Sequence, residues 1–251
     1  MPHRRHDRVL DDLRAQIAGV ERSGRPRRPA LPFDVDAIDD HLPERGLTLG
    51  ALHEIGCGGP ELGHTAAAAL FAAGLLARLK GPVLWCLPRR DLFAAALAGA
   101  GLHPDRVIYA ETRDEAGVLP VAEEALRFAG LAGVVAEVTR LGLTPSRRLQ
   151  LAAETSGVTM IALRRWPRRG EAPAEGTTAV TRWRVTALAS TPLRPGQPGV
   201  GRPRWHLELT RCRGGEPAAW IVEACDGAGR LRLAADLADR SAETAPRRAT
   251  G

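Results

Sequence analysis

One stretch of the chain has the glycine spacing of a phosphate-binding loop. Residues 58–65 read GGPELGHT. The loop of many NTP-using proteins reads G-x-x-x-x-G-K-[ST], in which backbone N–H groups and the lysine hold phosphates and Ser or Thr holds Mg²⁺. Gly58, Gly63 and Thr65 fit, but His64 stands at the lysine position. The stretch is an ATP site with an unusual histidine, a degenerate site, or a glycine-rich turn that binds no phosphate.

Carboxylates are the second requirement of an ATPase. One near the end of the second strand orients the attacking water, and one at the end of the fourth holds Mg²⁺. The first place is filled by PRR (88–90), and Asp91 follows it, where we expect the cap of the next helix. Glu137 fits the second place, although it is equally a charged residue at a strand's exit. Histidine is shorter than lysine and mostly neutral at pH 7, so we predict no catalysis and no cofactor, with Mg-ATP binding doubtful.

A basic stretch, RRWPRR, indicates contact with nucleic acid. Arginines hold phosphates and a tryptophan can stack on a base, which favours binding to single-stranded DNA. The alternatives are a solvated basic loop or a loop that binds an acidic partner. The stretch consists of Arg164, Arg165, Trp166, Pro167, Arg168 and Arg169.

Two further arginine pairs are candidate contacts. Arg147 and Arg148 are predicted in the first turn of a helix, where cations are unfavourable, so a counter-charge is expected. That charge is Glu154, DNA or a partner protein. Arg211 and Arg213 lie before an RGGEP turn and are either a functional pair or a surface hairpin tip.

Length and composition indicate a globular protein with one large α/β domain or two small ones. The 251 residues are 44% hydrophobic with a net charge of +6, which is compatible with nucleic acid or an acidic partner. The four cysteines lack metal-ligand spacing, so no metal is predicted. The polar N-terminus is not a signal peptide, and the longest apolar stretch is too short to cross a bilayer. We expect a cytoplasmic protein that does not bind membranes.

The hydrophobic pattern predicts strands that alternate with helices, hence a mainly parallel sheet flanked by helices. Later segments predict antiparallel strands added at one edge. A helix at 6–20 and a Pro/Arg linker form a unit 1–30, followed by a domain 31–236 and a disordered tail 237–251. Predicted strands are 49–57, 81–87, 106–111, 131–138, 158–164, 181–188, 204–211 and 218–225; predicted helices are 64–79, 91–102, 117–130 and one with Thr144 as N-cap and Pro145 as its first residue.

LPERGLTLGALHEIGCGGPELGHT resembles the entry of the RecA-type recombinases, and RWHLELTRCRGGEPAAWIVEA resembles their two late strands. The chain is more closely similar to the ImuA family over about 31–233, through ALHEI, GPVLWCL, TRWRV and especially LTPSRRLQLAAETSGVTMIAL (143–163). The resemblance implies a RecA-like P-loop-type core. It places 164–169 at the recombinase DNA loop and likens Arg211 and Arg213 to a pair presented to a neighbour's nucleotide. Arg164 stands where RecA has a nucleotide-sensing glutamine.

The resemblance also implies a role in the DNA damage response: DNA repair, the SOS response, and mutagenesis by translesion synthesis. The implied partners are an ImuB-like Y-family polymerase homologue, a DnaE-type polymerase and RecA itself. We therefore predict a non-catalytic adaptor with a degenerate P-loop. The alternatives are a weak DNA-dependent ATPase built on His64, Thr65 and Glu137, and a cell-division inhibitor of the kind that some small RecA-derived proteins are.

Overall fold

The computed structural model describes residues 28–166, 176–190 and 200–234. The predicted helix 6–20, the second half of the RRWPRR stretch and the tail from 237 lie outside the described residues. The division into 1–30, 31–236 and 237–251 stays a prediction. The short strand Ala30–Leu31 spans the predicted boundary between residues 30 and 31 and pairs with Leu47–Thr48.

The alternation of strands and helices is confirmed within the described residues. The strands are β1 (Ala30–Leu31), β2 (Leu47–Thr48), β3 (Leu52–Cys57), β4 (Val83–Leu87), β5 (Val107–Glu111), β6 (Gly133–Val138), β7 (Thr159–Arg164), β8 (Thr181–Leu188), β9 (Arg204–Cys212), β10 (Ala218–Glu223) and β11 (Arg232–Leu233). The α-helices are α1 (Asp36–Asp39), α2 (Leu62–Ala77), α3 (Ala94–Gly99), α4 (Val118–Ala125) and α5 (Leu143–Ser156), and 3₁₀ turns form at Pro104–Arg106 and Glu115–Gly117.

Within the ranges that the structure describes, nine strands form one sheet in the order β11-β10-β9-β8-β3-β7-β6-β4-β5. Five neighbouring strands are parallel to one another, as predicted: β3, β7, β6, β4 and β5. The later strands are added at one edge, and β9, β10 and β11 pair antiparallel. The prediction needs one correction, because β8 is parallel to β3 and antiparallel only to β9. It therefore joins the parallel and antiparallel halves of the sheet.

The helices cover the two faces of the sheet. On one face α2 and α3 pack on a core that includes Phe71, Trp183 and Trp205, whose rings lie 5.6 and 6.4 Å from that of Phe71. On the other face α4 and α5 cover a second core of Val, Leu and Ala side chains. Alanine at most inward positions of α2 lets this helix approach the sheet closely, and it is also the best helix former. The central strands are buried on both faces, which explains their continuous apolar runs.

The start of α5 differs from the prediction. Its N-cap is Gly142, so Thr144 is not the cap and Pro145 is not the first helical residue. Pro145 is still in the first turn, where its missing N–H has no helical partner to lose. Because the helix begins earlier, Arg147 and Arg148 lie in its second turn and carry less of the cost expected from the helix dipole. Gly157 ends the helix with φ of 78°, a conformation that favours glycine.

Candidate functional site at the carboxyl edge of the sheet

The carboxyl ends of the parallel strands meet at one edge of the sheet, where open α/β folds bind their ligands. The glycine-rich stretch follows β3, Asp91 follows β4, and Arg165 follows β7, while Glu137 is the second-last residue of β6. The fold thus brings most of the predicted nucleotide-site residues to one edge. Their detailed contacts decide what that edge can bind.

The backbone of the glycine-rich stretch is hydrogen-bonded within the chain. Gly58 N–H donates to the Val185 carbonyl at 2.9 Å, which ties the stretch to β8. The N–H groups of His64 and Thr65 donate to the Glu61 carbonyl at 3.1 and 3.3 Å, because α2 begins at Leu62 with Glu61 as its N-cap. A phosphate cradle needs inward-pointing N–H groups. Three of the groups that would form it already have acceptors.

Packing accounts for the first glycine of the motif. A Cβ atom at Gly58 would lie 1.9 Å from the Thr186 hydroxyl oxygen, so only glycine fits beside β8. A Cβ at Gly63, in contrast, would meet only Ala187 Cβ at 3.9 Å, which is an ordinary contact. Close contact with the neighbouring strand β8 therefore explains why residue 58, the first glycine of the phosphate-loop pattern, is glycine.

His64 is held against β8. Its Nδ1 accepts a hydrogen bond from the Ala187 N–H at 3.0 Å, so the proton of the neutral ring is on Nε2. Nε2 lies 3.5 Å from a carboxylate oxygen of Glu61, and the side chain is 15% exposed. The imidazole thus links the start of α2 to β8, which is a structural role that a phosphate-binding lysine does not have.

Glu137 is buried at 2% exposure and paired at both carboxylate oxygens. It accepts a hydrogen bond from Trp85 Nε1 at 2.7 Å and another from Arg165 at 2.5 Å. Burial raises the pKa of this carboxyl group above its ordinary value, and the charge of Arg165 and the hydrogen bonds from Trp85 and Arg165 oppose that rise. The carboxylate that the sequence offers to Mg²⁺ is therefore already neutralised by a guanidinium group.

Arg165 completes this ion pair on its other side. Its two terminal nitrogens donate to Asp91 at 2.8 and 2.6 Å, so the predicted helix-cap role of Asp91 is wrong, and Phe93 is the N-cap of α3. The hydrogen bond from Arg165 lowers the pKa of Asp91. Desolvation alone would lower the pKa of Arg165, but its two carboxylate partners raise it overall. In the described part of the chain, no group of three or more His, Cys, Asp or Glu side chains is placed to hold a metal.

Arg164 also contacts its own domain. Its guanidinium donates to Glu54 at 2.9 Å and to the Thr139 carbonyl at 3.0 Å, and only 10% of the side chain is exposed. Glu54 also accepts from Thr177 at 2.8 Å and lies 3.2 Å from Arg182 Nε. Sequence reasoning missed Glu54 and Arg182. A signal was present, because LHEIGC places two adjacent polar residues in an otherwise apolar central strand.

Trp166 lines a cavity of about 320 Å³ at the same edge. Arg182 and Arg184 also line it, and Arg184 forms two hydrogen bonds of 2.7 Å with Glu208. Arg168 and Arg169 lie outside the described residues. Of the basic stretch, the structure therefore places Arg164 and Arg165 in internal ion pairs and Trp166 beside an arginine-lined cavity.

The other arginine pairs lie elsewhere. Arg147 and Arg148 are exposed on α5, and Arg148 pairs with Glu123 at 2.7 Å. Glu154, one of the candidate counter-charges, pairs with Arg28 at 2.9 Å, and the neighbouring α4 supplies the carboxylate that pairs with Arg148. Arg211 donates to the Thr177 carbonyl at 2.6 Å and Arg213 to the Thr178 carbonyl at 2.8 Å, so both hold the segment before β8.

The mainly parallel sheet, covered by helices on both faces and extended by antiparallel strands, defines a RecA-like fold. The solved structure of the RadB recombinase has the same fold, with a TM-score of 0.54 and 17% identity over 82% of this chain and 100% of that one. No protein-family model matches the chain. The Protein ImuA sequences of two Caulobacter vibrioides strains, NA1000/CB15N and ATCC 19089/CIP 103742/CB 15, are each 40% identical over 238 residues, covering 90% of this chain and 97% of theirs. The chain belongs to the ImuA family.

No helix in the described ranges is long and apolar enough to cross a membrane.

Proposed function

We propose that this chain is a non-catalytic adaptor in damage-induced mutagenesis, acting in translesion DNA synthesis. Membership of the ImuA family supports a role in mutagenesis after DNA damage. The absence of catalysis is supported by one observation above all: the Arg165 guanidinium lies 2.5 Å from Glu137, where a bound Mg²⁺ would need that carboxylate. His64 adds support, since its ring is hydrogen-bonded to β8.

The proposal includes the partners implied by the resemblance. The adaptor would act in the cytoplasm and bind an ImuB-like polymerase homologue, a DnaE-type polymerase and RecA.

We expect the purified protein to show no ATP binding up to about 1 mM, with or without Mg²⁺ and single-stranded DNA. A His64→Lys variant is expected to behave in the same way, because Arg165 still neutralises Glu137 and the loop N–H groups still have internal acceptors. Isothermal titration calorimetry would measure binding, and phosphate release would measure turnover.

DNA-stimulated phosphate release by the native protein would overturn the adaptor proposal. It would favour the weak DNA-dependent ATPase built on His64, Thr65 and Glu137. A RecA-type recombinase assayed in parallel would show that the conditions permit turnover.

Binding to single-stranded DNA is part of the proposal and rests on the stretch 164–169. Because Arg164 and Arg165 are held by Glu54, Glu137 and Asp91, we place the phosphate contacts at Arg168 and Arg169. Arg168→Glu with Arg169→Glu is expected to weaken binding of a fluorescent oligonucleotide at least about tenfold and to reduce its salt dependence.

The matched control for charge is Lys80→Glu with Arg127→Glu, which reverses two exposed basic residues before the amino ends of β4 and β6, at the opposite edge of the sheet. Fluorescence anisotropy at several salt concentrations would compare the three proteins. Equal affinity in the two variants would contradict a local DNA contact and leave only a general effect of net charge.

A further inference from the structure

A groove lies between α2 and the segment that leads into α3, directly outside the Asp91–Arg165–Glu137 ion pairs. It has a volume of about 210 Å³. Its walls are mostly apolar, and its floor is formed by Leu163 and the paired charges. The apolar wall residues include Leu62, Ala66, Leu70, Leu92, Phe93 and Leu97. This space adjoins Thr65, where a nucleotide-binding relative would be expected to hold Mg²⁺ and phosphate.

Two large apolar side chains stand exposed at the rim of the groove. Leu62 is 80% exposed on one wall and Phe93 is 72% exposed on the other. Single exposed apolar residues are ordinary, but two that face a common apolar groove form a patch of the kind that marks a binding surface. An anchor side chain that enters such a groove is the usual centre of binding energy in a protein interface.

The charges around the groove indicate the sign of its occupant. Asp91 and Glu137 on the floor share the single guanidinium of Arg165, which leaves one carboxylate in excess, so the floor suits an apolar side chain rather than an anion. Arg89 is exposed, four residues before Phe93, and makes no ion pair with residues in the described part of the chain. Arg90 beside it pairs with Glu111, although 84% of its side chain is exposed. The charge of Arg89 acts on Asp91, but the hydrogen bonds of that carboxylate are made with Arg165, so a carboxylate brought next to Arg89 would meet an exposed guanidinium that is free to pair.

We propose that this groove binds a partner protein through a peptide segment in which a large apolar side chain stands close to Asp or Glu. The apolar side chain enters between Leu62 and Phe93, and the carboxylate pairs with Arg89. The inference rests on the proposed function, since the groove is open to a peptide only where no nucleotide occupies it. The former nucleotide edge then serves as a docking site of the adaptor.

The test uses random short peptides displayed on phage and selected on the full chain, with the enriched peptide then synthesised with a fluorescent label. Enriched sequences are expected to carry Trp, Phe or Leu within about one helical turn of Asp or Glu. Leu62→Ser with Phe93→Ser is expected to weaken binding of the labelled peptide at least about tenfold in anisotropy titrations. Arg89→Ala is expected to weaken it less and to reduce its salt dependence.

Phe128→Ser is the matched control, since Phe128 is also 67% exposed but does not line the groove. It should leave the affinity unchanged. The proposal is overturned if no peptide is enriched, if the enriched peptides are basic, or if they bind the Leu62/Phe93 variant as well as the native chain. It is also overturned if sedimentation shows a dimer that Phe93→Ser dissociates, because a second copy of the chain would then fill the groove. Displacement of the peptide by Mg-ATP would instead refute the proposed function and leave the groove as a peptide site.

Discussion

Replacing Arg165 by alanine is expected to lower the free energy of unfolding by about 3 kcal/mol near neutral pH. The guanidinium pairs with two carboxylates at once, and one of them, Glu137, is buried at 2% exposure. Removing one partner of a buried ion pair costs about 3–5 kcal/mol, because an uncompensated charge stays in a poorly solvated place. Urea unfolding followed by tryptophan fluorescence would measure the loss.

The loss is expected to depend on pH in a definite direction. Burial already raises the pKa of Glu137, and Arg165 opposes that rise, so the variant should have a still higher pKa in the folded state. A folded state that holds its proton more tightly than the unfolded state loses stability as the pH rises. The destabilisation should therefore be smallest below the ordinary pKa of glutamate and should grow as the pH rises through the raised value.

Two variants separate this explanation from general damage. Arg165→Ala with Glu137→Gln removes both charges of the buried pair, so above the ordinary pKa of aspartate, where Asp91 is ionised with or without Arg165, its stability difference from the native chain should no longer grow with pH. Arg90→Ala removes an arginine that is 84% exposed and paired with Glu111, and exposed pairs contribute about 1 kcal/mol or less. A pH-independent loss in Arg165→Ala, or a loss in Arg90→Ala of the same size, would mean that the Arg165–Glu137 pair is not what stabilises this edge.

The fold was predictable because local chemistry and global fold agree along most of the chain. The segments that became β4, β6 and β7 are continuous apolar runs, as strands buried on both faces must be. Short elements were not predictable, because β1, β2 and β11 have two residues each and no periodicity to detect. The start of α5 was missed because Thr144-Pro145 is a strong local cap pattern, yet the loop from β6 allows the helix to begin two residues earlier than that pattern predicts.

The sequence shows where the candidate site departs from an ATPase site, but not which residues occupy those places in the fold. The absence of lysine at position 64 can be read from the sequence, and so can the lack of a carboxylate at 88–90. That Arg165 would fill the place beside Glu137 could not be read, because the three paired residues are separated by 28 and 74 positions and meet only through the strand order. The same holds for Glu54 and Arg164, which are 110 positions apart and become neighbours because β3 pairs with β7.

His53 in the central strand β3 is, after Glu137, a second buried titratable group. We expect it to make the protein less stable in acid. His53 is fully buried, and desolvation lowers its pKa to about 4, although its hydrogen bond to the Thr48 carbonyl opposes the shift. Its Nε2–H donates to that carbonyl at 2.7 Å, while Nδ1 lies 2.7 Å from the Thr181 hydroxyl. Thr181 in turn accepts from Trp183 Nε1 at 2.8 Å, so the neutral ring completes a hydrogen-bonded chain. Protonation of the ring would add a second N–H donor that this series of hydrogen bonds does not need.

The linkage of this pKa to stability sets the pH range of the effect. The unfolded chain binds a proton at about 6.5 and the folded protein only at about 4, so stability is full above 6.5 and is lost as the pH falls between these values. At 1.36 kcal/mol per pKa unit, the loss reaches about 3 kcal/mol by about pH 4. His53→Gln keeps a donor for Thr48 and cannot titrate, so the difference in unfolding free energy between the native chain and this variant should shrink by about that amount on acidification.

Exposed His103 supplies the control, because His103→Gln removes a histidine without removing a buried one. Its stability should follow that of the native chain across the whole pH range. If His53→Gln also follows the native chain in parallel, the buried ring is protonated at no cost, and the hydrogen-bonded chain through Thr181 must rearrange to accept the proton. If the difference shrinks as expected, the neutral His53 ring stabilises the fold where it links the start of β3 to Thr48 of β2 and Thr181 of β8.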